Sequence, residues 1–156
     1  RAPHLDAVAR GGWIGLTVRH GRAHLIRSVL EGATYAMRDS LELIREMGAT
    51  IEEIRVSGGG ARNPLWRQIQ ADSYGVDVTT VNSTEGPAFG VALLALVGTG
   101  AYSSVAEACD QTIVAVDRTT TAPAAKAFHD RAYALYRELY PTLRSTFPKL
   151  DRLIHD

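Results

Sequence analysis

Three consecutive glycines, Gly58 to Gly60, stand between the run "TIEEIRVS" and the helix-start signal Asn63-Pro64 in "SGGGARNPLW". Within residues 50–57, Ile54 and Val56 fall on one face of a short strand. Asn63 is a good N-cap, and Pro64 takes the first helical position, where its missing N–H costs nothing because that donor has no intrahelical partner. The stretch therefore reads strand, bare backbone, helix, with the helix running from 64 to about 74 and stopping at Gly75. "VDVTTV" (residues 76–81) then alternates as a strand, and Ser83-Thr84-Glu85 opens a helix that runs through Val97 and closes at Gly98.

The rest of the chain repeats this alternation. "WIGLTV" (residues 13–18) has strand composition, and "RHGR" turns it toward a helix. Leu25, Val29, Ala33, Ala36, Met37, Leu41, Ile44 and Met47 recur every three or four residues, which predicts a long amphipathic helix over 24–47 with Gly48 past its end. Ser104 and Glu107 have the spacing of a capping box. A further strand over 112–116 and a helix over 122–140 complete the pattern, Tyr133, Tyr136 and Tyr140 forming with Leu135 and Leu139 a packing face. Strands separated by helices imply an α/β class with a mainly parallel sheet and flanking helices, because parallel strands need crossover connections. Ligands in such sheets bind at the carboxyl ends of strands, where Gly58 to Gly60 lie.

Composition narrows the partners. At 156 residues and 46% apolar, the chain can bury an ordinary core in about one domain. Lysine and arginine total 17, as do aspartate and glutamate, so no basic field recommends nucleic acid. The lone Cys109 forms no internal disulfide, which fits a reducing compartment and makes the cytoplasm the expected location. The longest apolar stretch, around 91–97, is too short to span a bilayer, so no membrane partner is expected. The opening "RAPHLDAVARGG" carries neither an initiator Met nor an apolar leader and reads as part of something longer or processed.

One glycine satisfies a turn. Further ones remove side chains where a flat or charged ligand group would approach the backbone, and a following helix N-terminus favours phosphate. A dinucleotide-binding loop fits incompletely: Gly58 and Gly60 give G-x-G, but the third glycine position is Asn63, and Asp77, at about the right distance for a ribose-binding acid, sits inside its strand. A Walker-type loop is excluded more firmly, since no Lys-Ser or Lys-Thr pair follows.

Two stretches carry a family resemblance. "GGWIGLTVRHGRAHLIRSVLE" resembles a signature of the FGGY carbohydrate kinases, with Gly11, Trp13, Gly15, Leu16, His24, Leu25, Ser28, Val29, Leu30 and Glu31 at fitting positions. "GGGARNPLWRQIQADSYGVDV" resembles that family's adenosine motif, and "RAPHLD" and "ELYPTLRSTF" point the same way, nearest to its xylulokinase branch. The resemblance implies a partial actin-like ATPase (ribonuclease H-like) domain. Residues 1–156 would form the family's C-terminal domain without its first strands, with the sugar held mostly by an N-terminal domain outside this chain. It implies that Gly59 and Gly60 lie against the adenine and ribose of ATP, that Gly58 completes the turn, and that Asn63 hydrogen-bonds the adenine. The physical reading agrees, because a planar base can lie on a glycine backbone and an amide offers donor and acceptor to a purine edge. A cap-only role for Asn63 stays open beside it.

The implied activity is transfer of the γ-phosphoryl of ATP, with Mg2+, to a ketopentose, D-xylulose to D-xylulose 5-phosphate. A gluconate, ribulose or glycerol kinase and a non-catalytic nucleotide-binding module are the alternatives. The expected partners are ATP and ADP, together with a homodimer mate or the remaining kinase segment covering an exposed edge. No catalytic or metal-ligating residue is assigned. Asp39, Asp72 and Asp77 are read as surface or cap residues, Glu85 as a charge at a helix N-terminus, and His20 and His24 as solvated or capping side chains rather than a zinc pair. Trp13 and Trp66 are read as core or interface anchors before stacking platforms.

Overall fold

The computed structural model describes residues 3–155. Its elements in chain order are α1 (Arg22–Glu46), β1 (Ile54–Val56), a 3-10 turn (Gly59–Arg62), α2 (Pro64–Tyr74), β2 (Val78–Val81), α3 (Gly86–Gly98), α4 (Val105–Thr112), β3 (Ala115–Thr119), α5 (Pro123–Leu143) and α6 (Phe147–His155). They form two compact units. One is the chain up to Thr50 together with everything from Pro123 onward; the other is Ile51–Ala122.

The Ile51–Ala122 unit is built on a three-stranded sheet in the order β1-β2-β3. β1 and β2 pair in parallel through Ile54↔Val78, Arg55↔Thr79 and Val56↔Thr80, joined by a single crossover through α2. Helix α2 supplies much of the core: Ile69, Ala71 and Tyr74 are buried on it, against a buried Val78. It ends at Gly75, whose φ of +66° continues the chain without a Cβ clash. Ser104 accepts a hydrogen bond from the Glu107 N–H at 3.1 Å and caps α4, while the Glu107 carboxylate reaches Ser103 N at 2.8 Å rather than Ser104, one residue off the expected box.

The sheet is mixed. β3 runs antiparallel to β2, with Val78↔Thr119, Thr79↔Arg118 and Thr80↔Asp117 paired and an irregularity at Val81. Two helices, α3 and α4, separate these strands, and together they return the chain to the end of the sheet that it left. Asn82 marks the return: its N–H donates to Val114 O at 3.0 Å, its Nδ2 to Thr112 O at 2.9 Å, and its Oδ1 accepts from Val114 N at 3.0 Å. Both helices fall where they were expected; what differs from a parallel crossover is the direction of the strand they lead into. The strand itself begins three residues later than the predicted 112–116.

In the other unit, α1 and α5 meet through polar and aromatic groups. The Tyr35 hydroxyl lies 2.8 Å from His129 Nδ1, with both residues buried. Tyr133 donates to Asp39 Oδ1 at 2.7 Å, and Arg38 Nη2 reaches Asp130 Oδ1 at 2.7 Å while its guanidinium lies 4.4 Å from the Tyr133 ring centre. Burial, reinforced by the charge of Glu31, pushes the Tyr35 hydroxyl up to about 12, so the contact holds a neutral phenol. His4 stacks on Tyr140 at 3.8 Å between ring centres, and Asp6 accepts from the Tyr140 hydroxyl at 2.9 Å. Of the expected packing face the tyrosines do pack, through rings and hydroxyls together, whereas Leu135 is 64% exposed and Leu139 36%.

Residues 13–18 are not a strand. Gly15 takes φ +83° and the chain turns at Thr17–His20, so the run has no straight length to pair with a neighbour. Helix α6 follows the predicted last helix and was not expected.

Candidate functional site

Gly58 to Gly60 follow the carboxyl end of β1, and Ser83 and Thr84 follow that of β2. Because the two strands are parallel neighbours, both ends fall on the same side of the sheet, and between them opens a cleft of about 180 Å³. It is lined by Ser57, Gly58, Arg62, Arg67, Thr80 and Thr84, among others, with no carboxylate in its wall. Hydroxyls, main chain and guanidinium groups make a lining suited to an anionic, hydroxylated ligand.

The three glycines have three different reasons. Gly58 sits at φ +81°, ψ −174°, a region open in practice to glycine alone. Gly60 faces a side chain: a Cβ placed on it would lie 2.4 Å from Trp66 Cζ3 and 2.9 Å from Cε3, so the indole occupies the space that a side chain would need. Gly59 has neither constraint. Its φ is not in the left-handed range and nothing lies within 4 Å of a Cβ built there. Of the expected contacts, Gly58 lines the cleft, while Gly59, Gly60 and Asn63 belong to the turn beside it.

Asn63 is an N-cap in fact. Its Oδ1 accepts from Leu65 N at 3.0 Å and from Trp66 N at 3.3 Å. That differs from the expectation of a helix N-terminus open to phosphate: the 3-10 turn that begins at Gly59 stands between Gly58 and α2, and the cap already serves two of the N–H groups. The amide oxygen is thereby occupied, which leaves Nδ2 as the group with which Asn63 can address a ligand. Helix α3, by contrast, has no side-chain cap. It starts at Gly86 against Ser57, where an added Cβ would stand 2.9 Å from Ser57 Oγ.

Arg67, which the sequence reading passed over, ties the site together. It donates from Nη1 to Ala61 O at 2.7 Å in the 3-10 turn and from Nη2 to Asp117 Oδ2 at 2.6 Å on β3. No spacing in the sequence announces this, because its partners lie on other elements. The contribution of Ser83 and Thr84 was legible in principle, since the strand-end rule that picked out the glycines applies equally to β2.

The carboxylates set aside from catalysis have structural partners. Asp77 accepts from Thr121 N at 3.1 Å and Arg118 Nε at 2.9 Å, and these two contacts, the backbone one foremost, hold its carboxyl below the usual carboxylate range. Asp72, buried rather than at the surface, accepts from Ala122 N at 2.8 Å and Gln68 Nε2 at 3.0 Å. Asp39 is engaged by Tyr133. Nδ1 of His20 accepts from Thr17 N at 2.9 Å, and Nδ1 of His24 from Gly21 N at 3.2 Å, so both rings brace the turn into α1. A larger cavity, about 570 Å³, lies in the α1–α5 unit, where Asp39, Glu42 and Glu46 stand in the wall beside Arg10 and Arg137.

The family model for the FGGY family of carbohydrate kinases, C-terminal domain, matches residues 1–99. The chain belongs to the FGGY carbohydrate kinase family. It is 36% identical over 143 residues to the xylulose kinase of Bacillus subtilis strain 168, covering 92% of this chain and 28% of that one. It is 42% identical over 107 residues to the glycerol kinase of Rhodopirellula baltica, covering 68% and 20%. Among solved structures, ligand-bound xylulose kinase from Lactobacillus acidophilus matches with a TM-score of 0.87 at 25% identity over 96% of this chain and 30% of that one. This FGGY chain thus spans less than a third of the length of the curated relatives and solved structures it matches. The α/β, actin-like class holds, and so does the likeness to the xylulokinase branch. The family's signature stretch folds onto itself in this unit, where Trp13 Nε1 donates to Ser28 Oγ at 3.0 Å. Among the described residues no helix is long and apolar enough to cross a membrane.

Proposed function

We propose that this chain supplies the nucleotide-binding part of an ATP-dependent kinase that phosphorylates a ketopentose, D-xylulose before others. The observation that carries the reading is Gly59, an exposed main-chain position beside an anion-friendly cleft, with no internal reason to lack a side chain. The purine lies along Gly58 and Gly59, Asn63 Nδ2 donates to its edge, and the hydroxyl and guanidinium lining faces the ribose and phosphates. Phosphoryl transfer is mainly positioning and charge stabilisation, so a preorganised half-site suffices for this chain's share. The sugar, the catalytic base and the remaining phosphate contacts belong to other parts of the enzyme, and the cytoplasm is its expected place. The cleft has no carboxylate, and among the described residues no cluster of three metal-ligating side chains exists. The wall of this cleft therefore offers no charged ligand of its own to the Mg2+ that would accompany ATP.

The likeness to a glycerol kinase supports a second reading, in which another polyol accepts the phosphoryl group. Gly59→Ala separates nucleotide binding from folding. It should leave the melting temperature within about 2 °C, since the added methyl meets nothing and ordinary surface substitutions cost about 0.5 kcal/mol or less. It should weaken ADP binding in titration calorimetry on the order of tenfold, equivalent to about 1.4 kcal/mol. Unchanged ADP affinity in Gly59→Ala removes the proposed purine site. Initial rates of the full-length protein with D-xylulose, ribulose, glycerol and gluconate then decide the acceptor.

A further inference from the structure

Trp66 stands on the third position of α2, half-buried, with the six-membered edge of its indole pressed against Gly60. The contact is one-sided. A Cβ on Gly60 would come within 2.4, 2.9 and 3.3 Å of Cζ3, Cε3 and Cη2, whereas one on Gly59 would meet nothing within 4 Å. The indole thus closes the space at Gly60 and leaves its neighbour's open. Its own backbone is held in turn, since Trp66 N donates to Asn63 Oδ1 at 3.3 Å, and the 3-10 turn is anchored at its other end by Arg67 Nη1 on Ala61 O at 2.7 Å. A four-residue 3-10 turn rich in glycine has little stiffness of its own, because glycine loses more conformational freedom on ordering than any other residue. Something outside the turn must set its position.

We propose that Trp66 is a positioning residue for nucleotide: its ring is the floor on which Gly60 rests, and so fixes where Gly58 and Gly59 offer main chain to a purine. The inference rests on the nucleotide-binding reading above. Two predictions separate it from a general packing role. Trp66→Phe leaves a gap under Gly60, because the shorter ring does not extend to the positions of Cζ3 and Cη2, which are in contact. In the full-length protein it should raise KM for ATP on the order of tenfold with kcat within about twofold, the pattern of lost ground-state binding. Gly60→Ala alone should do at least as much harm, by driving a methyl into the ring. The pair Gly60→Ala with Trp66→Phe should recover, the methyl entering the vacated space, so that its KM lies nearer wild type than that of Gly60→Ala.

Thermal melts run beside the kinetics keep loss of folding apart from loss of binding. Recovery in the double variant supports the floor. Effects on KM that simply multiply, or a Trp66→Phe enzyme with wild-type KM for ATP, overturn it. If the wild-type protein neither binds ADP in calorimetry nor transfers phosphoryl from ATP, the nucleotide reading falls and this inference falls with it. If the wild type does both and only the coupling between residues 60 and 66 is missing, the nucleotide reading stands and the inference alone is lost.

Discussion

At the scale of single residues, Asn63 is a cap, and the proposed function gives a different atom of it a second office. Its oxygen caps α2 through Leu65 N and Trp66 N, and its nitrogen is the group assigned to the purine. Asn63→Ala should remove both, lowering stability by about 1 kcal/mol through the lost cap and weakening ADP as well. Asn63→Asp keeps a capping oxygen and deletes the donor, so denaturant melts should match wild type while calorimetry records weaker ADP binding. Equal ADP affinity in the aspartate variant would leave Asn63 a cap and nothing more. The cap was readable from Asn-Pro ahead of an amphipathic run. That its oxygen would be taken up by both Leu65 N and Trp66 N was not, because it depends on which of the helix N–H groups the oxygen reaches.

At the scale of elements, local signals located nearly every helix, while the expectation of a mainly parallel sheet missed the antiparallel direction of β3. Helix α2 begins and ends where Asn63-Pro64 and Gly75 put it, since caps and terminal glycines act within a turn of the chain. The direction of β3 is set by Asn82 meeting residues 112–114, thirty positions on, and no local pattern reports such a pairing. Residues 13–18 mislead for the same reason, strand composition being a statement about fitting a sheet that must itself be present. In the site, the glycine turn was legible and the Arg67 link to Asp117 was not. The antiparallel edge carries a pH signature through Asp77, which holds Thr121 N and Arg118. Its folded-state pKa lies below the unfolded value, so its stabilisation is complete above about pH 4 and is lost as pH falls from there through the folded value. Asp77→Asn should therefore melt lower than wild type at neutral pH, with the difference closing in acid. A constant difference between pH 7 and pH 2.5 would assign the effect to packing.

At the scale of the whole molecule, the 156 residues leave apolar surface unattended. Helix α3 is almost entirely apolar, yet only Leu93 on it is buried, with Val91 66% and Leu94 59% exposed. Val114 and Val116, next to and on β3, are exposed as well. Patches of this kind mark surfaces that meet other protein. Expressed alone, the chain should sediment as species that grow with concentration, whereas the full-length enzyme should sediment as a defined particle. A 156-residue chain that remains a monomer at high concentration would contradict this.

The meeting of Gly86 with Ser57 has an architectural consequence. Two successive strand-to-helix junctions touch there through a hydrogen atom on one side and a hydroxymethyl on the other, so a residue in the wall of the cleft, Ser57, is backed by the smallest side chain available. Gly86→Ala would drive a methyl to 2.9 Å from the Ser57 hydroxyl and turn that hydroxyl to another rotamer. The direction in which that hydroxyl faces the cleft is in this sense written at a position outside its lining.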